Sequence, residues 1–228
     1  QGTKVVISAG GTQEDLDPVR YLGNRSSGRQ GFALAEVASQ RGAEVVLVAG
    51  NVEHLPVPAG ARVVRVTSTR DMLEAMEAES ADADVVIMPA PVAAYRPATV
   101  AGSKMKKGAD DADLSRLELV ENPDILKTLV DRRAAGELPA HQVLVGFAAE
   151  TGDENHTAVE LAQAKLKHKG CDVLMANEVG HGKVFAQLDN QGWLLTPGAE
   201  PQEVARGTKQ VVAAQILAAV DRVMGAEK

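Results

Sequence analysis

The sequence has little cysteine and few aromatic side chains. Cys171 is the single cysteine in 228 residues, and Phe, Trp and Tyr together make up 3% of the chain. One cysteine cannot form an internal disulfide, which is typical of a reducing compartment. No apolar run approaches the roughly 18 residues of a membrane span, and no signal-peptide pattern opens the chain. We therefore expect a cytoplasmic protein with no membrane partner, and Gln1-Gly2-Thr3 resembles a cut end within a longer protein.

The chain also lacks an excess of positive charge. It has 24 Lys and Arg against 31 Asp and Glu, a formal net charge of −7. Non-specific nucleic-acid binding needs a basic surface, so nucleic acid is not an expected partner, although a local basic pocket is compatible with this balance. Apolar residues make up 45% of the chain, which is sufficient for the core of a single domain spanning residues 1–228.

Several nucleotide-binding and catalytic motifs are absent. Gly10-Gly11-Thr12 is not G-x-G-x-x-G, no acidic residue for a ribose follows the predicted strand ending at Ala49, and neither tyrosine begins Tyr-x-x-x-Lys. Gly23–Gly28 has the glycine spacing of a P-loop but not its Lys and Ser/Thr. These absences disfavour an NAD(P)-dependent Rossmann-type reductase, which is kept as an alternative function. The sequence also shows no close metal-ligand spacing and no nucleophile–base pair.

What the sequence does have is an alternation of short apolar runs with helical patterns. This alternation is typical of a parallel sheet covered by helices on both faces. The predicted strands are Lys4–Ala9, Glu44–Ala49, Arg62–Val66, Asp84–Met88, Leu114–Val120, Gln142–Ala148, Cys171–Ala176 and a hairpin of Lys183–Leu188 with Gly192–Thr196. The predicted helices are Gly28–Arg41, Arg70–Glu79, Asn122–Ala135, Asp153–Lys169 and Val204–Met224. We predict a three-layer, Rossmann-like α/β fold with a mostly parallel sheet, a flap loop at residues 89–113 and a C-terminal hairpin at residues 183–196.

Four segments with unusual residues follow the ends of predicted strands. They are Gly10–Gly28, Pro89–Lys107, Asn122–Leu126 and Phe147–Thr151. Ligands of open α/β sheets bind beyond the carboxyl ends of the strands. We therefore expect these four segments to share one edge of the sheet and to form the functional site there.

Basic residues and helix starts in these regions indicate phosphate binding, although each has a purely structural interpretation. Ser26-Ser27-Gly28 could present free N–H groups to phosphate, together with Gly10 and Gly11, or simply cap a helix. Lys104–Lys107 could close over a phosphorylated substrate or form a solvated face. Lys165 and Lys169 lie four residues apart, so they share a helix face that could bind phosphate or only complement the helix carboxyl end. The chemistry indicated is orientation of phosphorylated groups, with any Mg²⁺ carried by phosphates.

Five sequence segments together resemble the successive motifs of one family. The segments are "SAGGTQEDLDPVRYLGNRSSGRQG", "APVAAYRPATVAGSKMKKG", "ENPDIL", "GFAAETG" and "MANEV". They resemble bacterial phosphopantothenoylcysteine synthetase, in the order in which that family has them. The resemblance implies a CTP-dependent ligase of coenzyme A biosynthesis that activates 4′-phosphopantothenate as an acyl-cytidylate and then joins it to cysteine. It also implies Mg²⁺, a homodimer and fusion to a flavin-dependent decarboxylase in the full-length protein.

The resemblance assigns roles to residues at matching positions. Asn24 matches the asparagine that contacts the acyl-cytidylate and helps the second step, and Arg20 resembles its companion arginine. Lys104 matches the flap lysine needed for cytidylate formation and nucleotide binding. The nucleotide-binding positions that match are Ala90, Pro123, Asp124, Ile125, Leu126, Phe147, Lys165 and Lys169. Asp124 is also the possible direct ligand of Mg²⁺. We interpret the long loop after the first strand as a second-substrate element that carries Arg20 and Asn24, with Asn24 able to reach the site of a neighbouring subunit.

One motif departs from the family pattern. The family reads A-A-V-A-D-Y-R where this chain reads "APVAAYR". Ala94 therefore stands where an aspartate is expected to contact the nucleotide or its metal, and Pro91 replaces a small residue. This departure keeps a non-catalytic nucleotide-binding domain as a further alternative.

Overall fold

The fold is an α/β sandwich with twelve strands and five helices among the described residues. The structure, a computed structural model, describes residues 2–107, 114–179 and 192–226. The strands are β1 Lys4–Gly10, β2 Gln13–Asp15, β3 Tyr21–Gly23, β4 Glu44–Gly50, β5 Ala61–Val66, β6 Val85–Met88, β7 Tyr95–Pro97, β8 Leu119–Glu121, β9 Val143–Glu150, β10 Val173–Glu178, β11 Gly192–Leu195 and β12 Gln202–Val204. The helices are α1 Arg29–Gln40, α2 Thr69–Ser80, α3 Ile125–Ala134, α4 Ala158–Lys169 and α5 Lys209–Ala226. None of these helices is both long and apolar enough to cross a membrane.

Eight strands form one sheet in the order β12-β11-β10-β9-β6-β1-β4-β5. The strands from β10 to β5 pair in parallel, whereas β11 runs antiparallel to both of its neighbours. The chain winds from β1 outward through β4 and β5, then returns to the other side of β1 with β6. In a sheet wound in two directions, the crevice at this reversal is the usual ligand site. The predicted mostly parallel, Rossmann-like fold is confirmed.

Two apolar cores cover the faces of the sheet. Alternate residues of a strand point to opposite faces, so Ile7 of β1 lies in one core and Val6 in the other. The first core packs against α1 and α5, and the second packs against α2, α3 and α4. This arrangement confirms the predicted helical layers on both sides. It also leaves the strand ends free to carry the functional loops.

Both long loops at the strand ends contain short strands that the sequence did not predict. β2 and β3 pair as a hairpin within the loop from Gly11 to Gly28. β7, inside the predicted flap, pairs with β8. The predicted strand Leu114–Val120 is therefore wrong at its start, because β8 occupies only Leu119–Glu121. Three-residue strands give too few positions for alternation of apolar and polar residues to reveal them.

Several predicted helix starts are wrong because side chains near them have other partners. The helix predicted from Asn122 begins at Ile125, since the Asp124 side chain caps it. The Asn122 amide is instead buried in contacts with other loops. The helix predicted from Asp153 begins five residues later, after a capping box on Thr157. The helix predicted from Val204 begins at Lys209, because the short strand β12 and a loop precede it.

The predicted C-terminal hairpin is only partly covered by the described residues. Its first strand, Lys183–Leu188, lies outside them. The second predicted strand is present as β11, which pairs with β10 and with β12. The sequence did not predict β12.

Candidate active site at the carboxyl edge of the sheet

The amino end of α1 packs directly against the turn that ends β1. Gly10 and Gly28 have positive φ angles of 76° and 69°. A Cβ on Gly28 would lie 2.8 Å from Val52 Cγ1 and 3.3 Å from the Gly10 nitrogen. Ser27 is exposed beside them, and Gly11 is buried. Gly10, Gly11, Ser27 and Gly28, which the sequence predicted to bind phosphate, therefore lie together at one helix start, a position that favours an anion.

Ser26 and Ser27 do not cap α1 with their side chains. No side chain caps this helix, and Gly28 takes the N-cap position. The Ser26 and Ser27 hydroxyls instead accept from the Gly28 and Arg29 N–H groups. The segment therefore caps α1 through Gly28, as the capping interpretation predicted, but not through a serine side chain.

Asn24 lies between the β1 turn and the segment that follows β6. Its side-chain amide donates to the Val92 carbonyl over 3.1 Å. A Cβ on Gly11 would lie 2.8 Å from the Asn24 carbonyl oxygen, so only glycine lets the loop pass this closely. The hairpin therefore holds Asn24, which is itself exposed, above the reversal point of the sheet.

Arg20 is joined to the flap through Asp17. Its Nη2 lies 2.6 Å from Asp17 Oδ2 and 2.6 Å from the Met105 carbonyl oxygen. The Met105 N–H also donates to Asp17 Oδ2 over 3.0 Å. The Arg20 guanidinium and the backbone donors hold the pKa of the Asp17 carboxyl well below its usual range, against the opposing effect of burial. The carboxylate is therefore ionised whenever the protein is folded near neutral pH.

Lys104 directly precedes Met105, the flap residue that Asp17 and Arg20 bind, and it faces solvent. It is exposed, and no described carboxylate forms an ion pair with its ammonium group. A second backbone contact, from the Ala101 N–H to the Leu16 carbonyl at 3.0 Å, ties the flap to the same hairpin. The structure thus brings together the two loops that carry Arg20, Asn24 and Lys104.

A buried polar network below these loops was missed from the sequence. Glu14 Oε1 accepts from the Thr69 N–H at the start of α2 over 2.9 Å, and from the Asn122 amide over 3.1 Å. The Asn122 amide also donates to the Ala93 carbonyl over 2.8 Å. Thr12 Oγ1 accepts from the Ala93 N–H over 2.8 Å. These contacts connect four segments distant in sequence, and the only sequence signal was an excess of polar residues in the first loop.

The alanines of the "APVAAYR" motif occupy two different environments. Ala90 is buried, and its N–H donates to Ser8 Oγ over 3.3 Å. Ala94 is exposed, and its carbonyl accepts from the Asn122 N–H over 2.8 Å. A side chain at position 94 would therefore have access to solvent beside the start of α3. This is the position where the family pattern places a carboxylate.

The segment Pro123–Leu126 contributes a cap, a groove and core side chains. Asp124 Oδ1 accepts from the Lys127 N–H over 3.0 Å, while Oδ2 pairs with the Lys169 ammonium. The groove beside it has a volume of about 770 Å³ and is lined by Arg70, Leu73, Arg96, Glu121, Asn122, Pro123 and Asp124. Ile125 and Leu126 point into the core instead. Only their backbone groups are available to a nucleotide.

Lys165 and Lys169 are both paired with carboxylates. Lys165 Nζ lies 2.7 Å from Glu150 Oε1 at the end of β9, and Lys169 pairs with Asp124. Burial alone would raise the pKa of the Asp124 carboxyl, but Lys169 and the capped N–H outweigh burial and lower it. Lys165 therefore reaches the carboxyl end of β9, and Lys169 reaches the start of α3.

Phe147 lies on the other face of the sheet from Leu126. Phe147 packs against the core formed with α1 and α5, whereas Leu126 belongs to the core formed with α2, α3 and α4. The two side chains can flank a ligand only from opposite sides of the sheet edge. Their shared role at a nucleotide remains a prediction.

Asp124 is poorly suited to hold Mg²⁺ alone. Both of its oxygens already accept from donors, and no group of three His, Cys, Asp or Glu side chains with metal-binding geometry occurs within the described ranges. Mg²⁺ binds through few protein ligands when phosphates supply oxygens. A metal carried by a nucleotide therefore fits these residues better than a protein-built metal site.

Features away from this edge have structural explanations. Cys171 is buried, and burial raises the pKa of its thiol to about 11, so it is the core residue that the sequence predicted. A cavity of about 430 Å³ lies at the opposite edge between α1 and α5, with Leu217, Val220 and Met224 in its wall. None of the residues predicted to be functional lines it.

Comparisons with known proteins support the motif resemblance. The family described as "DNA/pantothenate metabolism flavoprotein C-terminal domain" matches residues 1–224. A coenzyme A biosynthesis bifunctional protein CoaBC from Mycobacterium bovis is 46% identical over 219 residues, covering 96% of this chain and 52% of the relative. The CoaBC protein of Vibrio vulnificus is 40% identical over 227 residues, covering 99% of this chain and 53% of the relative. The chain therefore spans about half the length of these curated relatives.

Solved structures show the same architecture. The crystal structure of the C-terminal domain of a CoaBC protein has a TM-score of 0.79 at 37% identity, covering 99% of this chain and 97% of that one. A DNA/pantothenate metabolism flavoprotein from Streptococcus pneumoniae has a TM-score of 0.77 at 21% identity, covering 97% and 99%. A Cab2 variant in complex with phosphopantothenate-cysteine has a TM-score of 0.76 at 15% identity, covering 99% and 88%. The last two likenesses concern the fold alone.

Proposed function

Because this chain belongs to the DNA/pantothenate metabolism flavoprotein C-terminal domain family, we propose that it is a coenzyme A biosynthesis ligase that joins 4′-phosphopantothenate to cysteine. One observation carries this proposal beyond family membership. The Asp17–Arg20–Met105 contacts join the two loops whose residues match the ligase motifs, directly above the reversal point of the sheet. A ligase that activates a carboxylate with a nucleotide needs its two substrates to meet at one such place.

The proposed reaction has two steps. The carboxylate oxygen of 4′-phosphopantothenate attacks the α-phosphorus of CTP, and the bond to the β-phosphate breaks to release pyrophosphate. The cysteine amine then attacks the acyl carbon of the acyl-cytidylate and loses a proton. Breaking the acyl–oxygen bond releases CMP and leaves an amide. Neither step requires a protein nucleophile, and cations and backbone dipoles that stabilise developing negative charge are sufficient.

In this proposal the flap and the first loop serve different steps. Lys104 has an exposed ammonium with no ion pair among the described residues, so it is available to the phosphates in the first step. Asn24 is exposed and donates to the Val92 carbonyl, and we assign its amide to the acyl group in the second step. The Gly10–Gly28 region offers backbone N–H groups to a phosphate.

The nucleotide would lie toward α3 and α4. Lys165 and Lys169 are already oriented to this edge by Glu150 and Asp124, and a triphosphate would compete with those carboxylates for the two ammonium groups. Pro123 and the backbone of Ile125 and Leu126 would border the nucleotide. Mg²⁺, when present, would neutralise phosphate charge and arrive on CTP.

Oligomeric partners are also part of the proposal. Val19, Tyr21 and Tyr95 are large apolar side chains near the hairpin with 61%, 53% and 52% of their surfaces exposed. Exposed apolar groups clustered near one another are typical of an interaction surface. Their position supports a homodimer that covers the hairpin, with Asn24 close to the neighbouring subunit.

Because the curated relatives are about twice as long, we further propose that the full-length protein carries a flavin-dependent decarboxylase.

Turnover with each reactant omitted in turn tests the proposed function. We expect pyrophosphate release to require CTP and 4′-phosphopantothenate but not cysteine, and CMP release to require all three. An ATP arm tests nucleotide choice, and an NADPH titration tests the reductase alternative. Nucleotide binding without pyrophosphate release would support a non-catalytic domain instead, and Ala94→Asp would then show whether the missing carboxylate is the cause.

Two variants test the assigned steps. Lys104→Gln should slow pyrophosphate release by about a hundredfold or more, since it removes a cation that stabilises the negative charge of the transition state. Asn24→Asp should leave pyrophosphate release within about threefold while slowing amide formation by at least about tenfold. Lys106→Gln, in the same flap, is the matched control and should change neither step. Equal loss of both steps in Asn24→Asp, or normal pyrophosphate release in Lys104→Gln, would refute the assignment.

A further inference from the structure

Asp17 accepts an unusual number of hydrogen bonds for one carboxylate. Its Oδ1 accepts from the Val19 and Arg20 N–H groups, both over 2.8 Å. Its Oδ2 accepts from Arg20 Nε over 3.0 Å, from Arg20 Nη2 over 2.6 Å and from the Met105 N–H over 3.0 Å. Its side chain is fully buried. One oxygen therefore shapes the hairpin turn, and the other binds the flap.

The contact between the hairpin and the flap depends on this arrangement. Residues 17 and 105 are 88 positions apart, so no local geometry brings them together. Arg20 Nη2 closes the contact by bonding both the Asp17 carboxylate and the Met105 carbonyl. A buried carboxylate without its donors would be costly, which favours the closed arrangement over an open one.

We propose that Asp17 is a positioning residue that acts through Arg20 and Met105 to hold Lys104 at the nucleotide phosphates. This inference rests on the proposed function. Because Lys104 directly precedes Met105, fixing both backbone polar groups of Met105 restricts where the Lys104 side chain can reach. Arg20 then has a structural task that is separate from any contact with the acyl-cytidylate.

Asp17→Asn is the informative change because it keeps the size of the side chain. An asparagine offers one acceptor oxygen and one NH₂ group. Whichever way the amide turns, its NH₂ group faces either the two backbone donors at Oδ1 or the three donors that Arg20 and Met105 direct at Oδ2. Asp15→Asn is the matched control, since Asp15 lies two residues away on β2 and is exposed.

Limited trypsin digestion measures the flap contact without reference to activity. Lys104, Lys106 and Lys107 are exposed cleavage positions in the flap. We expect cleavage there to be at least about tenfold faster in Asp17→Asn than in the parent and in Asp15→Asn, because local opening controls cleavage. Unchanged cleavage would overturn the inference, whatever the enzyme does.

Single-turnover kinetics then test whether the contact acts through Lys104. Asp17→Asn should slow pyrophosphate release without cysteine by about tenfold or more, the effect expected from losing hydrogen bonds to a charged group. Release of CMP after cysteine is added to the preformed intermediate should stay within about threefold of the parent. In the Lys104→Gln background, Asp17→Asn should slow the first step by less than about twofold further, because residues that act through each other are not additive.

The outcomes separate this inference from the proposed function. Faster cleavage with an unchanged first step, or full additivity with Lys104→Gln, would overturn the positioning role. A parent protein that releases no pyrophosphate from CTP would overturn the proposed function, whereas the cleavage comparison would still decide whether Asp17 fastens the flap. Should Asp17→Asn not fold, Arg20→Lys serves in the trypsin comparison, since one ammonium cannot reproduce the fork that reaches both partners, and cleavage as slow as in the parent would then overturn the inference.

Discussion

Among the described glycines, Gly10 is the one where an added methyl group should lower the free energy of unfolding most. Gly10 pairs with Gly50 at the ends of β1 and β4 and has a φ of 76°. A Cβ there would lie 1.9 Å from the Gly50 carbonyl oxygen and 3.0 Å from Val52 Cγ1. Because the nearer atom belongs to the backbone of a central strand, rotation of a side chain cannot relieve the overlap.

Gly198 separates the two contributions to this effect. Its φ of 75° matches that of Gly10, but a Cβ on Gly198 would meet nothing within 4 Å. Gly198→Ala should therefore cost only the left-handed backbone strain, about 1–2 kcal/mol in the free energy of unfolding. Gly10→Ala should add the cost of overpacking, about 2–3 kcal/mol more.

Urea denaturation of both variants, followed by circular dichroism, measures the difference. The midpoint should fall much further for Gly10→Ala, with similar slopes for both proteins. Free energies of unfolding that agree within about 0.5 kcal/mol would refute the steric argument. That result would also remove the structural explanation for Gly10 and leave phosphate binding as its main role.

Two further predictions concern the polar contacts of the site. Asn122→Ala should lower the free energy of unfolding by about 2–4 kcal/mol, because Glu14 and the buried Ala93 carbonyl lose a hydrogen-bond donor. Urea denaturation measures this loss, with the exposed Asn155→Ala as the control. Lys169→Met should destabilise the unliganded protein by less than about 1 kcal/mol at neutral pH, since the pair is partly exposed. The pKa of Asp124 in the folded protein lies below its ordinary 3.8, so the ion pair with Lys169 contributes its stability above that value and loses it as pH falls through the folded pKa. Acid denaturation should therefore show no difference between Lys169→Met and the parent at low pH.

Each of these predictions has a clear contrary result. An Asn122→Ala protein as stable as Asn155→Ala would mean that the buried network contributes little beyond packing. A stability difference between Lys169→Met and the parent that persists unchanged at low pH would mean that Lys169 acts through its aliphatic stem rather than through Asp124.

The sheet could be predicted from the sequence because its strands are continuous apolar runs. β1, β4 and β6 lie between two cores, so nearly every residue is apolar and the run itself marks the strand. The parallel direction of most strands then follows from the alternation with helices. The family resemblance was also available from the sequence, since its motifs are contiguous segments, and the comparisons confirm it.

The polar interior of the site could not be predicted, because its contacts are non-local. Glu14 and Asp17 are acidic residues in a polar loop, and such residues normally face solvent. They are buried at 5% and 2% exposure because donors from residues about 50 to 110 positions away surround them. The start of α3 was misplaced for the same reason. Asn122 has the ideal type for a helix cap, but a partner distant in sequence binds it first.

At this edge of the sheet, two carboxylates of the first loop are buried whereas the flap lysine is exposed. Two acids of the first loop, Glu14 and Asp17, are buried and accept two or more donors each, so each joins segments that are far apart in sequence. Lys104 is exposed and has no ion-pair partner among the described residues, so its charge is available to an anion from solvent. If Lys104 were buried and these two carboxylates were exposed, the ammonium would lose its charge readily and the carboxylates would repel a triphosphate. An acidic protein is therefore compatible with the anionic nucleotide proposed above when buried carboxylates such as Asp17 organise the loops and an exposed cation such as Lys104 remains at the surface.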